Sequence, residues 1–399
     1  MVSKPLNPKN HFIATVLAYA TVPLSGFATD VYLPSFPQMA SQLQVAEHSI
    51  QITLSLYLVS YGLFQIISGI LVDAYGRYRL CLSALLVFSA SCLVITITDS
   101  IMVIYLMRII QGICTAFTVV AARAFFLDVY EEGPKKKMYL SLMTIVWSAG
   151  PIIAPFVGGY LQHIFGWRSN FVFLAVYGFI LFLFLWIFSG ETIKHRIQAN
   201  YRSILKSYKT ILSARDFIFG IFIIGVSYAM IMFFSLSGPF IIEHDLGFSP
   251  VVMGYVALIL GLAWMCGGFI GKQLINRDLV QKIKVAYAIQ ILLVVLMITT
   301  PYFIYNIYTI VLFAFLVHVT AGFIFNNYFT YCVGRFPQLA GIAGGITGGF
   351  AYSFTSVLSY AAIAVLKPHS QATIGIGYLI IGMLGVVALW FSRKLYTAK

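Results

Sequence analysis

Charge is what this sequence has least of. Asp, Glu, Lys and Arg together make up 9% of its 399 residues, where a soluble domain carries about 25%. With 60% hydrophobic residues, the chain has too few polar groups to cover a surface in water, so much of that surface must face lipid. Cysteine is scarce as well. Cys81, Cys92, Cys114, Cys266 and Cys332 lie scattered in apolar segments, with no CxxC pair and no His/Cys cluster. That spacing excludes a disulfide framework and a zinc site. The sequence has no HExxH, no GxSxG and no Walker-type GxxxxGK[ST], so no enzymatic activity, metal or cofactor is expected and ATP hydrolysis would require a partner. The same absences, with no soluble domain in sight, disfavour an integral enzyme or a sensor. Acidic residues are few: 12 against 25 basic ones, for a net charge of +13. On a soluble protein that excess would suggest nucleic acid. Here the basic residues sit in short loops between apolar runs, so the expected partner is the bilayer and not nucleic acid.

Long apolar runs are abundant. They cover residues 12–33, 49–72, 80–98, 101–127, 138–161, 169–189, 217–240, 250–271, 285–304, 307–332, 340–366 and 373–391. Each approaches the roughly 20 residues a helix needs to cross the hydrocarbon core, and each is too long for a barrel strand. The first run is too long for a signal-peptide core and is followed by Pro34 and Pro37, so it reads as a retained span. The longest polar stretch, Gly190 to Asp216, falls near the midpoint and carries Lys194, Arg196, Arg202, Lys206, Lys209 and Arg215. The expected fold is an all-α integral membrane protein of twelve transmembrane helices. Residues 1–190 would form one six-helix bundle, 191–216 a cytoplasmic basic connector and 217–399 a second bundle. With the N-terminus in the cytoplasm, 21 of the 25 Lys and Arg residues fall on the cytoplasmic side. Only Arg168 and Lys367 fall opposite, and Arg108 and Arg123 lie inside the fourth run. This asymmetry places a multi-pass protein in the cell's inner membrane with both termini cytoplasmic.

Charges inside spans are costly and are retained for a purpose. Asp30 is the one acid inside a run, toward the outer end of the first. It is expected to face a central cavity and exchange protons; the plainer reading is a structural acid at a helix end. Arg108, with Gln111 and Gly112 one turn later, is either a substrate-anion site or an internal hydrogen-bond hub. His318, Asn326 and Asn327 on the tenth run and Gln290 on the ninth read first as satisfied packing residues. Gly341, Gly345 and Gly349, at four-residue spacing, offer a face for close helix approach.

Several motifs resemble the major facilitator superfamily, and more narrowly its Bcr/CflA-like twelve-span drug:proton antiporters. Gly69-Ile-Leu-Val-Asp73-Ala-Tyr-Gly76-Arg77-Tyr-Arg79 is similar to the superfamily's GxxxDxxGR(K/R) gating loop. There Gly69 and Gly76 would permit a close turn and Asp73 would pair across the gate, while Ala74 stands where a basic residue is usual. Arg108-Ile-Ile-Gln111-Gly112 looks like RxxQG, and Arg123 and Asp128 extend that helix-four polar network. Gly150-Pro151-Ile-Ile-Ala154-Pro155-Phe-Val-Gly158-Gly159 resembles the exporters' helix-five motif, with Ala154 in place of glycine. Asp30-Val31-Tyr32-Leu33-Pro34 is similar to a first-helix D-x-Y-L-P signature. The motifs cover roughly the first 170 residues; the second half matches by span count and a degenerate loop echo, Gly268-Phe-Ile-Gly271-Lys272.

The resemblance implies a secondary active transporter working by alternating access. The expected function is proton-coupled export of amphipathic small molecules, as multidrug or secreted-metabolite efflux; the alternative is a proton-coupled importer of a nutrient or siderophore. The expected partners are a small-molecule substrate, protons and the lipid bilayer, with the chain acting as a monomer.

Overall fold

The computed structural model describes residues 4–131, 133–193 and 201–397. Among these residues there is no strand, only one isolated bridge between Pro5 and Glu191. Twelve helical stretches are long and apolar enough to cross a membrane. Spans 1–6 are Pro8–Gln42, Glu47–Tyr75, Arg77–Ile97, Ile101–Val129, Met138–Phe165 and Arg168–Phe188. Spans 7–12 are Arg215–Asp245, Pro250–Gln273, Leu279–Tyr302, Ile307–Gly334, Gly341–Leu366 and Gln371–Arg393. Every expected run is a span. The connector contains a helix, Tyr201–Leu212; Lys194 and Arg196 lie outside the described residues.

Two boundaries differ from the reading of the apolar runs, each for a local reason. Span 1 does not stop before Pro34. It is broken after Thr21, resumes as Leu24–Asp30, tightens to a 3₁₀ turn at Leu33–Ser35 and continues as Phe36–Gln42. Pro34 and Pro37 each stand in the first turn of a new helical piece, where no N–H is needed. Asp30 therefore lies well within span 1 and not near its end. Span 7 continues beyond Phe240 through a π-helical turn, Ile241–Asp245, which draws Glu243 into the helix.

The chain divides into two compact units, Met1–Tyr201 and Arg202–Lys399. In the first, span 2 packs along span 4, span 3 along spans 4 and 6, and span 1 along span 5. In the second the same pairings recur six places on: 8 with 10, 9 with 10 and 12, and 7 with 11. The likeness extends to single residues. A Cβ at Gly112 of span 4 would overlap Tyr57 O and Ser60 Oγ of span 2, and a Cβ at Gly322 of span 10 would sit 2.5 Å from Trp264 O of span 8. Both glycines let backbones touch where lipid provides no hydrophobic drive between helices. Four residues before each stands a buried polar side chain, Arg108 in one unit and His318 in the other. The glycines of span 11 act differently from expectation at one point: a Cβ at Gly341 would meet nothing within 4 Å. Span 7 meets span 11 at Gly225 instead, whose carbonyl accepts from Thr355 Oγ1 at 2.8 Å.

Large apolar side chains are exposed along one face of spans 3, 6, 9 and 12, among them Leu93, Phe184, Leu292 and Trp390. In water such a surface would drive aggregation; in a bilayer it is the solvated face.

Candidate functional site

Asp30 and Arg108 are, among the described residues, the only acid and the only strong base less than a tenth exposed, at 4% and 0%. The break in span 1 positions the first. Asp30 ends the Leu24–Asp30 helix, and the 3₁₀ turn that follows presents Tyr32 to the same region. Arg108 comes from the middle of span 4. Its Nη2 donates to Ala28 O of span 1 at 2.9 Å, Nη1 to Gln111 Oε1 at 2.7 Å and Nε to Thr53 O of span 2 at 3.4 Å. The guanidinium is held between the rings of Tyr32 and Tyr57, 4.5 and 4.3 Å from their centroids. Tyr32 is fixed by a 3.0 Å hydrogen bond with Thr53 Oγ1, and Gln111 reaches on to Cys92 Sγ of span 3 at 3.3 Å. Arg108 thus joins spans 1, 2 and 4, and Gln111 extends the network to span 3.

The acceptors just described are all neutral. Asp30 lies within the electrostatic reach of Arg108 and is the one acid among the described residues buried with it. An unpaired buried charge would be costly.

A second cluster forms at the Gly76 end of spans 2–4. Gly76 closes span 2 with φ +105°, a conformation that favours glycine, and span 3 begins at Arg77. Arg77 pairs with Asp73 at 3.0 Å and with Asp128 at the end of span 4, and it donates to Ala124 O at 2.8 Å. The structure thus divides the helix-four network expected from sequence. Arg108, Gln111 and Gly112 act together, Asp128 belongs to the Arg77 cluster, and the Arg123 side chain is exposed apart from both. Gly69 makes no turn; it lies inside span 2 with open space beside it. Arg79 lies on span 3 and makes none of the cluster's bonds described above.

The helix-five residues face span 1. A Cβ on Gly150 would lie 2.9 Å from Pro23 O, and one on Gly158 would overlap Val31 O. Pro151 and Pro155 lie within the helix, with Ala154 fully buried between them and Gly159 also buried. The broken span 1 that carries Asp30 is therefore seated on a groove of small residues.

Sequence reading missed three features. The rings that cage Arg108 come from different spans. Glu191 and Thr192, read as the start of a polar connector, join the Arg77 cluster, Thr192 Oγ1 donating to Asp128 at 2.8 Å. In the second unit, Asp216 accepts from Arg335 at 2.6 Å and from Tyr331 at 2.7 Å, so a charge pair ties span 7 to span 10 although the loop echo carries no acid. His318 lies 3.1 Å from the Tyr378 hydroxyl of span 12, and Gln290 donates to Thr320 at 2.9 Å.

A family model described as Major Facilitator Superfamily matches residues 19–360. The chain belongs to that superfamily. Its place within the superfamily agrees with the Bcr/CflA-like motifs. Escherichia coli (strain K12) has a relative named multidrug resistance protein D, 27% identical, covering 92% of each chain. Haemophilus influenzae has one named bicyclomycin resistance protein homolog, 24% identical, covering 96% of this chain and 97% of its own. A solved D-xylose–proton symporter shares the fold, with a TM-score of 0.71 over 96% of this chain and 97% of its own at 14% identity. The protein is a multi-pass membrane transporter of the superfamily, built on twelve spans.

Proposed function

We propose that this transporter exports amphipathic small molecules in exchange for protons, and that Asp30 is the group that carries the proton. The observation that carries the reading is the burial of Asp30 within reach of Arg108, with no other buried acid among the described residues. When Asp30 is ionised, the two charges offset each other. When a proton binds, Arg108 keeps its neutral hydrogen bonds but loses its counter-charge. A buried cation without compensation is destabilising, so protonation disfavours this arrangement of spans 1, 2 and 4 relative to one that admits water. Alternating access follows if the protonated and deprotonated forms favour opposite openings. The driving force is sufficient, since one charge crossing 100 mV yields about 2.3 kcal/mol before any pH gradient.

Export is supported by the helix-five residues Gly150 to Gly159, which resemble the exporters' motif, and by relatives named for resistance to drugs. The aromatic content, 16%, suits flat or weakly cationic ligands. We further propose an inner-membrane location with both termini cytoplasmic, on the charge asymmetry of the loops. We take the single chain as the working unit, since Asp30 and Arg108 find their partners within one bundle.

The test uses purified protein in proteoliposomes with an imposed pH gradient. Asp30→Asn is expected to abolish pH-driven flux while leaving counterflow of substrate; full pH-driven flux would reject the role. In whole cells, an uncoupler is expected to raise accumulation of a fluorescent amphipathic cation. A fall would mark an importer.

A further inference from the structure

The segment after span 6 folds back over the turn between spans 2 and 3. Glu191 Oε1 accepts from the backbone N–H of Arg77 at 3.3 Å, of Thr192 at 3.1 Å and of Ile193 at 3.3 Å. Arg77 is the first residue of span 3, so its N–H has no acceptor within its own helix. A carboxylate from 114 residues away in sequence takes the place of a local cap. The fit is close: a Cβ on Gly76 would lie 2.6 Å from Glu191 Oε2. The neighbouring Thr192 hydroxyl donates to Asp128, the partner of Arg77.

The beginning of the chain clamps this segment from outside. Glu191 N donates to Lys4 O at 2.8 Å, Leu6 N donates to Glu191 O at 3.3 Å, and Lys4 Nζ donates to Ile187 O at 2.9 Å. Gly190 makes room, since a Cβ there would lie 2.6 Å from Leu6 N. Beneath the clasp is a cavity of about 40 Å³ lined in part by Arg77, Cys81, Thr21, Ser189 and Thr192. It has room for one or two waters, and Arg77 is among the few polar side chains in its wall.

We propose that Glu191 is a positioning residue for the Arg77 gate. Its carboxylate fixes the first turn of span 3, so that Arg77 stays aimed at Asp73 and Asp128, and residues 4–6 hold Glu191 in place. The clasp must release before Arg77 can leave Asp73 and Asp128. Its consequence for flux rests on the transport reading above; the clasp itself does not.

Cys81, one helical turn after Arg77 and buried against the same cavity, reports clasp opening directly. The experiment uses full-length purified protein with Cys92, Cys114, Cys266 and Cys332 replaced by alanine. Alkylation of Cys81 by N-ethylmaleimide is followed by mass spectrometry. Glu191→Ala is expected to raise the rate about tenfold, the factor that corresponds to one net hydrogen bond of closure. Leu6→Pro, which deletes the N–H that reaches Glu191, is expected to raise it less. Glu191→Gln, whose amide oxygen can accept the same three bonds, is expected to stay near the parent rate. In transport, Glu191→Ala lowers the maximal rate while KM holds. Parent-like labelling of both Glu191→Ala and Leu6→Pro overturns the proposal. So does Glu191→Gln labelling as fast as Glu191→Ala, which would make charge and not capping the operative property. The ratio of Glu191→Ala to parent labelling is measured with Asp30 and again with Asn in its place, and the same ratio is expected in both backgrounds, so failure of proton coupling and failure of the clasp give different results.

Discussion

Replacing Arg108 with lysine keeps the positive charge beside Asp30 and discards the fork that delivers it. The three hydrogen bonds leave from three different nitrogens toward Ala28, Gln111 and Thr53, and a single ammonium on a shorter stem can satisfy one of them well. Hydrogen bonds between membrane helices are worth about 0.6 kcal/mol on average and up to about 1.7. Two lost bonds therefore cost about 1–3 kcal/mol. The planar cation between Tyr32 and Tyr57 is also lost, and a desolvated cation–ring contact contributes roughly 0.5–2 kcal/mol. The total is about 1.5–5 kcal/mol. Purified Arg108→Lys should unfold several degrees below the parent in detergent, yet retain partial proton-driven flux because Asp30 keeps its counter-charge. Unfolding within one degree of the parent would refute the view that geometry at Arg108 holds spans 1, 2 and 4 together. A cycle with Arg108→Met and Asp30→Asn completes the test: removing both charges should cost less than the sum of the single losses by about 1 kcal/mol or more, and strict additivity would show that the two residues do not interact.

Gly158→Ala would drive a Cβ into the Val31 carbonyl of span 1, and should cost about 3 kcal/mol or more, seen as loss of folded protein on size-exclusion chromatography. Gly69→Ala, with nothing within 4 Å, should instead be neutral or stabilise span 2 by about 0.5–1 kcal/mol in thermal unfolding. Asp216→Asn weakens a partly exposed pair with Arg335 and should cost about 1 kcal/mol or less, measured by unfolding with transport retained. Tyr378→Phe removes the hydroxyl beside buried His318 and should cost about 1 kcal/mol, again by unfolding, with pH-driven flux retained because Asp30 is untouched.

The spans were legible because lipid allows no substitute for an uninterrupted apolar helix, so each of the twelve left its mark on composition. Asp30 was legible for the same reason: an acid among apolar neighbours is conspicuous. Its depth was not, because Pro34 and Pro37 look like terminators until the structure shows them starting new turns. Arg108 stood out as a buried charge, but its cage did not, since Tyr32 and Tyr57 meet only when spans 1 and 2 flank span 4. Asp128 sits on the same helix as Arg108 yet serves Arg77, because sequence proximity along 20 residues of helix is about 30 Å of rise. Glu191 was hidden by its position: a glutamate at the start of a basic, polar stretch reads as solvated, and nothing local reveals that it caps a helix begun at residue 77.

The correspondence between Arg108 and His318 has a consequence for how such a carrier can diversify. Two copies of one architectural plan stand in one polypeptide, and among the described residues only the first holds a buried acid and a buried arginine. On the proposal that Asp30 carries the proton, the other can accumulate changes of shape and polarity without disturbing the coupling group. Ligand preference would then be free to drift in the second copy while the proposed coupling site stays constant in the first.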